Sequence, residues 1–172
     1  SWLGLTAPGS LDVAQWDATV SGAQTVSLGS NLEWLGVSIL STLGGNLTVN
    51  TGNTLTLGAS GFANAAARTI TLNNAVALSV PQTWTNTGGT FIPAGGVATG
   101  GNQLTLAGTA ALQFKGAITG GGSLVVNHSN TKFSSGTNAT ASPVVINSGG
   151  VLIFDAAVST GVSDPTARRD TP

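Results

Sequence analysis

The 172-residue chain has no cysteine, methionine or tyrosine, and charged residues make up only 6% of it. Without cysteine there is no disulfide, no thiolate metal site and no cysteine nucleophile; the compartment stays undecided, because exported repeat proteins often do without disulfides. Five Lys and Arg against six Asp and Glu leave a formal net charge of −1. No basic stripe is available to neutralise phosphates, so nucleic acid is not an expected partner. So little charge also provides little repulsion between copies, and association should be easy. Thr and Asn interrupt every apolar stretch well before the roughly 18–20 residues that a membrane-spanning helix requires, so the chain is expected to be soluble or displayed. The opening Ser1-Trp2-Leu3-Gly4 shows neither an initiator Met nor a signal peptide, which fits a processed secretory product and a trimmed chain equally well.

What is present is mostly Gly, Ser, Thr and Asn, 79 residues together, set among aliphatic side chains. Across residues 34–114 the only formal charge is Arg68. Segments such as Asn46-Leu47-Thr48-Val49, Thr54-Leu55-Thr56-Leu57, Thr69-Ile70-Thr71-Leu72 and Gln103-Leu104-Thr105-Leu106 alternate polar and apolar residues. Period two predicts half-buried strands, and the Gly, Asn and Ser clusters between them predict turns. A step of 21 residues from Leu28 lands on Val49, Ile70, Phe91, Leu112, Phe133 and Phe154, all large and apolar. A second register at the same step joins Leu55, Val76, Val97 and Ile118 before reaching Ala139. A fixed period of this size predicts an all-β fold, a single parallel β-helix (β-solenoid) with coils of roughly 21 residues. Apolar columns should fill its interior, with Thr and Asn columns outside.

The pattern divides the chain into a lead-in cap at residues 1–24, a solenoid at 25–155 and a polar tail or linker at 156–172 that either bridges to a neighbour or caps the end. Residues 59–68, rich in Ala, are expected to bulge out as a short helical or irregular loop.

Candidate chemistry is sparse. Cleavage of a sugar chain needs an acid and a base around one bond, and no carboxylate lies between Glu33 and Asp155. Asp12, Asp17 and Glu33 are expected to be solvated or to cap turns. His128 is the only histidine and has no second His or thiolate to complete a metal site, so a structural role is expected. Gly44-Gly45-Asn46 and Gly100-Gly101-Asn102 carry Asn where calcium-binding solenoid repeats carry Asp, and Gly120-Gly121-Gly122-Ser123 lacks the Lys of a phosphate loop. No catalytic, cofactor-binding or metal residues are assigned, and no cofactor is expected. Trp2, Trp16 and Trp34 crowd the first 34 residues. Two roles are open to them, plugging the end of the apolar column or stacking on sugar rings, and the plug is preferred because an exposed coil end needs cover. Trp84 is expected in the core.

The segment Ile118-Thr119-Gly120-Gly121-Gly122-Ser123-Leu124-Val125-Val126, followed by Val144-Val145-Ile146-Asn147-Ser148-Gly149-Gly150-Val151-Leu152-Ile153-Phe154, resembles the autotransporter-associated β-strand repeat of bacterial passenger regions. The likeness covers roughly residues 46–154. It departs from the repeat at Asn138-Ala139-Thr140-Ala141-Ser142-Pro143, where an aromatic and a Gly-Gly-Thr corner are usual. The resemblance implies a right-handed β-helix on the outside of a bacterial cell. Together these readings lead to an expectation of a non-enzymatic extracellular structural solenoid, surface-displayed or shed, that associates with itself head to tail into filaments. The runner-up is a carbohydrate-binding adhesin, with surface polysaccharide as partner; a polysaccharide-cleaving β-helix is a distant third.

Overall fold

In the computed structural model every described element is a β-strand; the description covers residues 7–134 and 144–154. The strands wind coil by coil. The first coil contains β1 (Val13–Trp16) and β2 (Gln24–Val26), the second β3 (Leu32–Ile39) and β4 (Leu47–Val49), and the third β5 (Leu55–Asn64) and β6 (Ile70–Leu72). Next come β7 (Val76–Leu78), β8 (Gln82–Asn86) and β9 (Phe91–Pro93), and then β10 (Val97–Ala98), β11 (Leu104–Gly108) and β12 (Leu112–Phe114). The sixth coil holds β13 (Ile118–Thr119), β14 (Leu124–His128) and β15 (Thr131–Phe133), and the last described coil β16 (Val144–Ile146) and β17 (Leu152–Phe154). Each strand pairs in parallel with its equivalent one coil away, which makes the chain a β-solenoid.

Three ladders result. One follows β2-β4-β6-β9-β12-β15-β17. A second follows β1-β3-β5-β8-β11-β14-β16, and a third leaves β5 through β7, β10 and β13. The last two merge because β3 and β5 are long enough to run around a corner: Leu55-Thr56-Leu57 pairs with β7, while Phe62-Ala63-Asn64 pairs with β8. Residues 59–68 therefore differ from the expected loop. Their first half continues β5, because Phe62 is an inward side chain buried in the core and Gly61, at φ +58°, lets the strand bend. The lead-in also enters the ladder directly, with β1 against β3 and β2 against β4.

The expected single column is corrected by the register. Ile70, Phe91 and Leu112 do stack on one another, beneath Leu47 and above Thr131. Val49 instead stacks on Val26 and Leu72, and Phe133 on Phe114 and Phe154, in the neighbouring column of the same ladder. Leu28 follows β2 and joins neither column. The cause is coil length. Val26 to Val49 and Val49 to Leu72 are 23-residue steps, Phe91 to Leu112 is 21, and Phe114 to Phe133 is 19. A slip of two residues keeps a side chain on the same face of a strand, so a constant step of 21 still finds only inward positions. The second register, Leu55, Val76, Val97 and Ile118, is a true column. Ala139 lies outside the described residues.

Aromatic rings fill much of the interior. Trp84 is buried, as expected, and lies near-parallel to Phe114 at 6.3 Å; Phe114 stacks on Phe133 at 5.0 Å and Phe133 on Phe154 at 5.9 Å.

Candidate functional site

The sequence-derived site residues do not converge. Trp16 and Trp34 are buried, 7% and 2% exposed, and pack against each other with ring centroids 6.0 Å apart. Neither presents a face to a sugar ring. Trp2 lies outside the described residues. Asp12 accepts a hydrogen bond from the Gly9 N–H at 2.9 Å, and Asp17 accepts from the Thr19 N–H at 2.9 Å and the Thr19 hydroxyl at 2.7 Å. These are turn-closing contacts. The Thr19 amide and hydroxyl hold the Asp17 carboxyl below the ordinary value of 3.8. Glu33 is exposed on β3. Among the described residues no three His, Cys, Asp or Glu side chains gather as a metal site would require, and no helix is long and apolar enough to cross a membrane.

Residue-type reasoning missed a polar column inside the core. Asn64, Asn86, Gly108 and His128 stack at the same position of four successive coils, just where the second ladder ends and the chain turns toward the first. Asn64 and Asn86 are each 1% exposed and His128 is fully buried, whereas Asn columns were expected outside. Burial is tolerable because partners are supplied. The Asn64 amide donates to Asn86 Oδ1 at 2.8 Å, and Asn64 Oδ1 accepts from the Ala66 N–H. Asn86 Nδ2 donates to the carbonyls of Gly89 and Ala111 at 3.0 and 2.8 Å. Gly108 adopts φ +110°, and a Cβ there would lie 2.1 Å from the Asn86 carbonyl oxygen, so only glycine fits this corner. His128 Nδ1 accepts from the Asn130 N–H at 3.1 Å and lies 3.2 Å from the Thr131 hydroxyl. That acceptor role assigns the ring proton to Nε2, which makes no well-formed hydrogen bond among the described residues. Desolvation lowers the His128 pKa below 6.5, outweighing the Asn86 main chain, which favours the charged ring.

Two surfaces remain as places for contact. The first is the edge at the last described coil. There, among the described residues, β16 pairs only with β14 and β17 only with β15, and Ile146 and Phe154 are 50% and 46% exposed although they occupy inward registers. Val145 and Ile153, at the alternate outward positions, are also exposed. The second is lateral. Thr83 and Thr85 point outward from β8, with Thr105 and Ala107 beside them on β11. Between coils, Asn147 Nδ2 donates to Asn127 Oδ1 at 2.6 Å and Asn50 Nδ2 to the Ser27 hydroxyl at 2.9 Å, so part of the outer surface is bonded along the solenoid axis.

No family model matches the chain, and no curated protein or solved structure shows significant similarity to it.

Proposed function

We propose that the protein is a non-enzymatic structural β-solenoid of the bacterial cell exterior, displayed or shed, which lengthens by stacking end to end on further copies of itself. The observation that carries this reading is the pair of half-used edges. Among the described residues, β1 and β2 at one end pair only with β3 and β4, and β16 and β17 at the other pair only with β14 and β15. A parallel ladder repeats the same pattern of N–H and C=O groups at every coil, so the two edges have complementary hydrogen-bonding patterns. An unprotected edge is a template for another strand. None of the four strands carries a charged side chain to repel a partner. A head-to-tail contact does not close on itself and builds a fibre. The bacterial exterior is supported by the resemblance to the autotransporter-associated repeat.

Sedimentation and electron microscopy over a range of concentrations test this. Rods that lengthen with concentration, and that are lost when Ile146→Lys and Phe154→Lys are combined in a chain that still folds, are the expected result. A monomer at every concentration would refute it.

The adhesin reading rests on one observation, the uncharged hydroxyl face formed by Thr83, Thr85 and Thr105. With Trp16 and Trp34 buried, this face is the candidate for a sugar contact among the described residues. Binding to a polysaccharide array that is abolished by Thr85→Lys, with no rods in the microscope, would place this reading first.

A further inference from the structure

The polar column contains one group that titrates. At the same corner position, Asn64 Oδ1 accepts the N–H two residues on, from Ala66, and His128 Nδ1 accepts the N–H two residues on, from Asn130, each at 3.1 Å. His128 thus closes its corner as an asparagine does, but through an atom that can take a proton. The corner is tied to both neighbouring coils. Ser129 N–H donates to the Gly108 carbonyl and Leu112 N–H to the Asn130 carbonyl; on the other side Val151 N–H donates to the His128 carbonyl and Thr131 N–H to the Val151 carbonyl.

We propose that His128 is a proton-operated latch for the last two described coils: the neutral ring closes the corner between β14 and β15, and protonation opens it. A proton on Nδ1 turns the acceptor into a donor facing the Asn130 N–H. Two donors then meet, the Thr131 hydroxyl loses the same acceptor, and a charge is enclosed in an apolar core. The corner must move to reach water, and the hydrogen bonds to Val151 move with it. Coils in a solenoid touch only their neighbours, so the opening is confined to this corner and the strands bonded to it, from β11 through β17.

Among the described residues no nearby charge offsets this. The described strands stacked around the ring, β8, β11, β12, β16 and β17, carry no titratable side chain. β15 carries Lys132, which sits between the buried Thr131 and Phe133 and so faces the opposite side of its strand. The described carboxylates, Asp12, Asp17 and Glu33, belong to the first two coils. The sign follows from burial. The closed state holds a neutral ring, the opened state takes a proton below the ordinary value of 6.5, and opening becomes more favourable as pH falls through that value, by about tenfold per pH unit until the closed ring itself titrates.

Native-state hydrogen exchange between about pH 7.5 and about pH 5, corrected for intrinsic exchange rates, reads the opening constant amide by amide. In the wild-type chain the amides of Asn130, Thr131 and Val151 should open roughly tenfold more for each pH unit below 6.5, while those of β4 to β9 stay level. His128→Asn, which keeps an acceptor and removes the titration, should flatten the slope. A level wild-type profile, a slope retained in His128→Asn, or a slope shared by all coils would each overturn the latch. Should His128→Asn fail to fold, NMR titration of the wild-type ring decides: a ring that titrates at 6.5 or above while these amides stay protected refutes the proposal, and one that stays neutral until they open supports it. The inference holds whether or not the ends associate.

Discussion

Phe62 and Phe91 lie face to face, ring centroids 3.9 Å apart and planes 5° from parallel, although they belong to different ladders and different coils. Phe62 comes from β5 and Phe91 from β9, and Trp84 of β8 leans on both at 6.1 and 5.7 Å. This cluster couples two ladders through the middle of the solenoid, in addition to the backbone bonds that couple coils along it. The tilted contacts of Trp84 with the two rings each contribute about 0.5–1.5 kcal/mol beyond the area they bury.

Phe91→Ala should therefore cost about 3–5 kcal/mol, and Phe91→Asp should prevent folding, because the charge would enter an apolar column without a partner. Thr71→Lys, at an outward position on the adjacent β6, should stay within about 0.5 kcal/mol of the parent. Thermal denaturation of the three variants checks this; similar shifts for Phe91→Ala and Thr71→Lys would contradict the assigned register.

Two glycines with positive φ should respond differently to alanine. At Gly108 the added Cβ meets the Asn86 carbonyl at 2.1 Å, whereas at Gly101, φ +85°, nothing lies within 4 Å. Gly101→Ala should cost only the conformational strain, about 1–2 kcal/mol. Gly108→Ala adds a backbone clash and should cost more than about 4 kcal/mol. Denaturant midpoints for the pair give the comparison.

Removing one member of the buried amide ladder should cost more than its own hydrogen bonds. Asn86→Leu leaves Asn64 Nδ2 and the Gly89 carbonyl without their partner, at about 1–3 kcal/mol each, while the Ala111 carbonyl keeps the Phe91 N–H. Combining it with Asn64→Leu removes one of those orphans. The double variant should be less destabilised than the sum of the singles by about 0.5–3 kcal/mol, and additivity in a thermodynamic cycle would disprove the coupling.

Acid should act on the first coil through Asp17. Its pKa is lowered in the fold by the Thr19 contacts, so the stabilisation they confer is complete above 3.8 and is lost as pH falls from there through the lower folded value. Asp17→Asn should remove this contribution to the acid limb of the unfolding curve and leave untouched the loss of stability that begins below 6.5 and belongs to His128. An unchanged acid limb would show that the Thr19 contacts do not persist in solution.

Local alternation was enough to determine the fold class and which side chains face inward. In Leu47-Thr48-Val49 or Ile70-Thr71-Leu72 the period of two sorts core from surface without reference to any other part of the chain. Stacking order was not legible, because it depends on how many residues each corner consumes. The 23-, 21- and 19-residue steps shift Val49, Phe133 and Phe154 into one column and Ile70, Phe91 and Leu112 into the other while leaving parity, the only local signal, unchanged. The polar corner was hidden for a related reason. Asn side chains were expected on the outside and His128 was expected only to be structural, since Asn and His are ordinarily exposed or only partly buried. They can be inside only because the third, fourth and fifth coils bring donors and carbonyls from residues up to 25 positions away, such as Ala111 for Asn86, and because Gly108 leaves its place in the column free of a side chain.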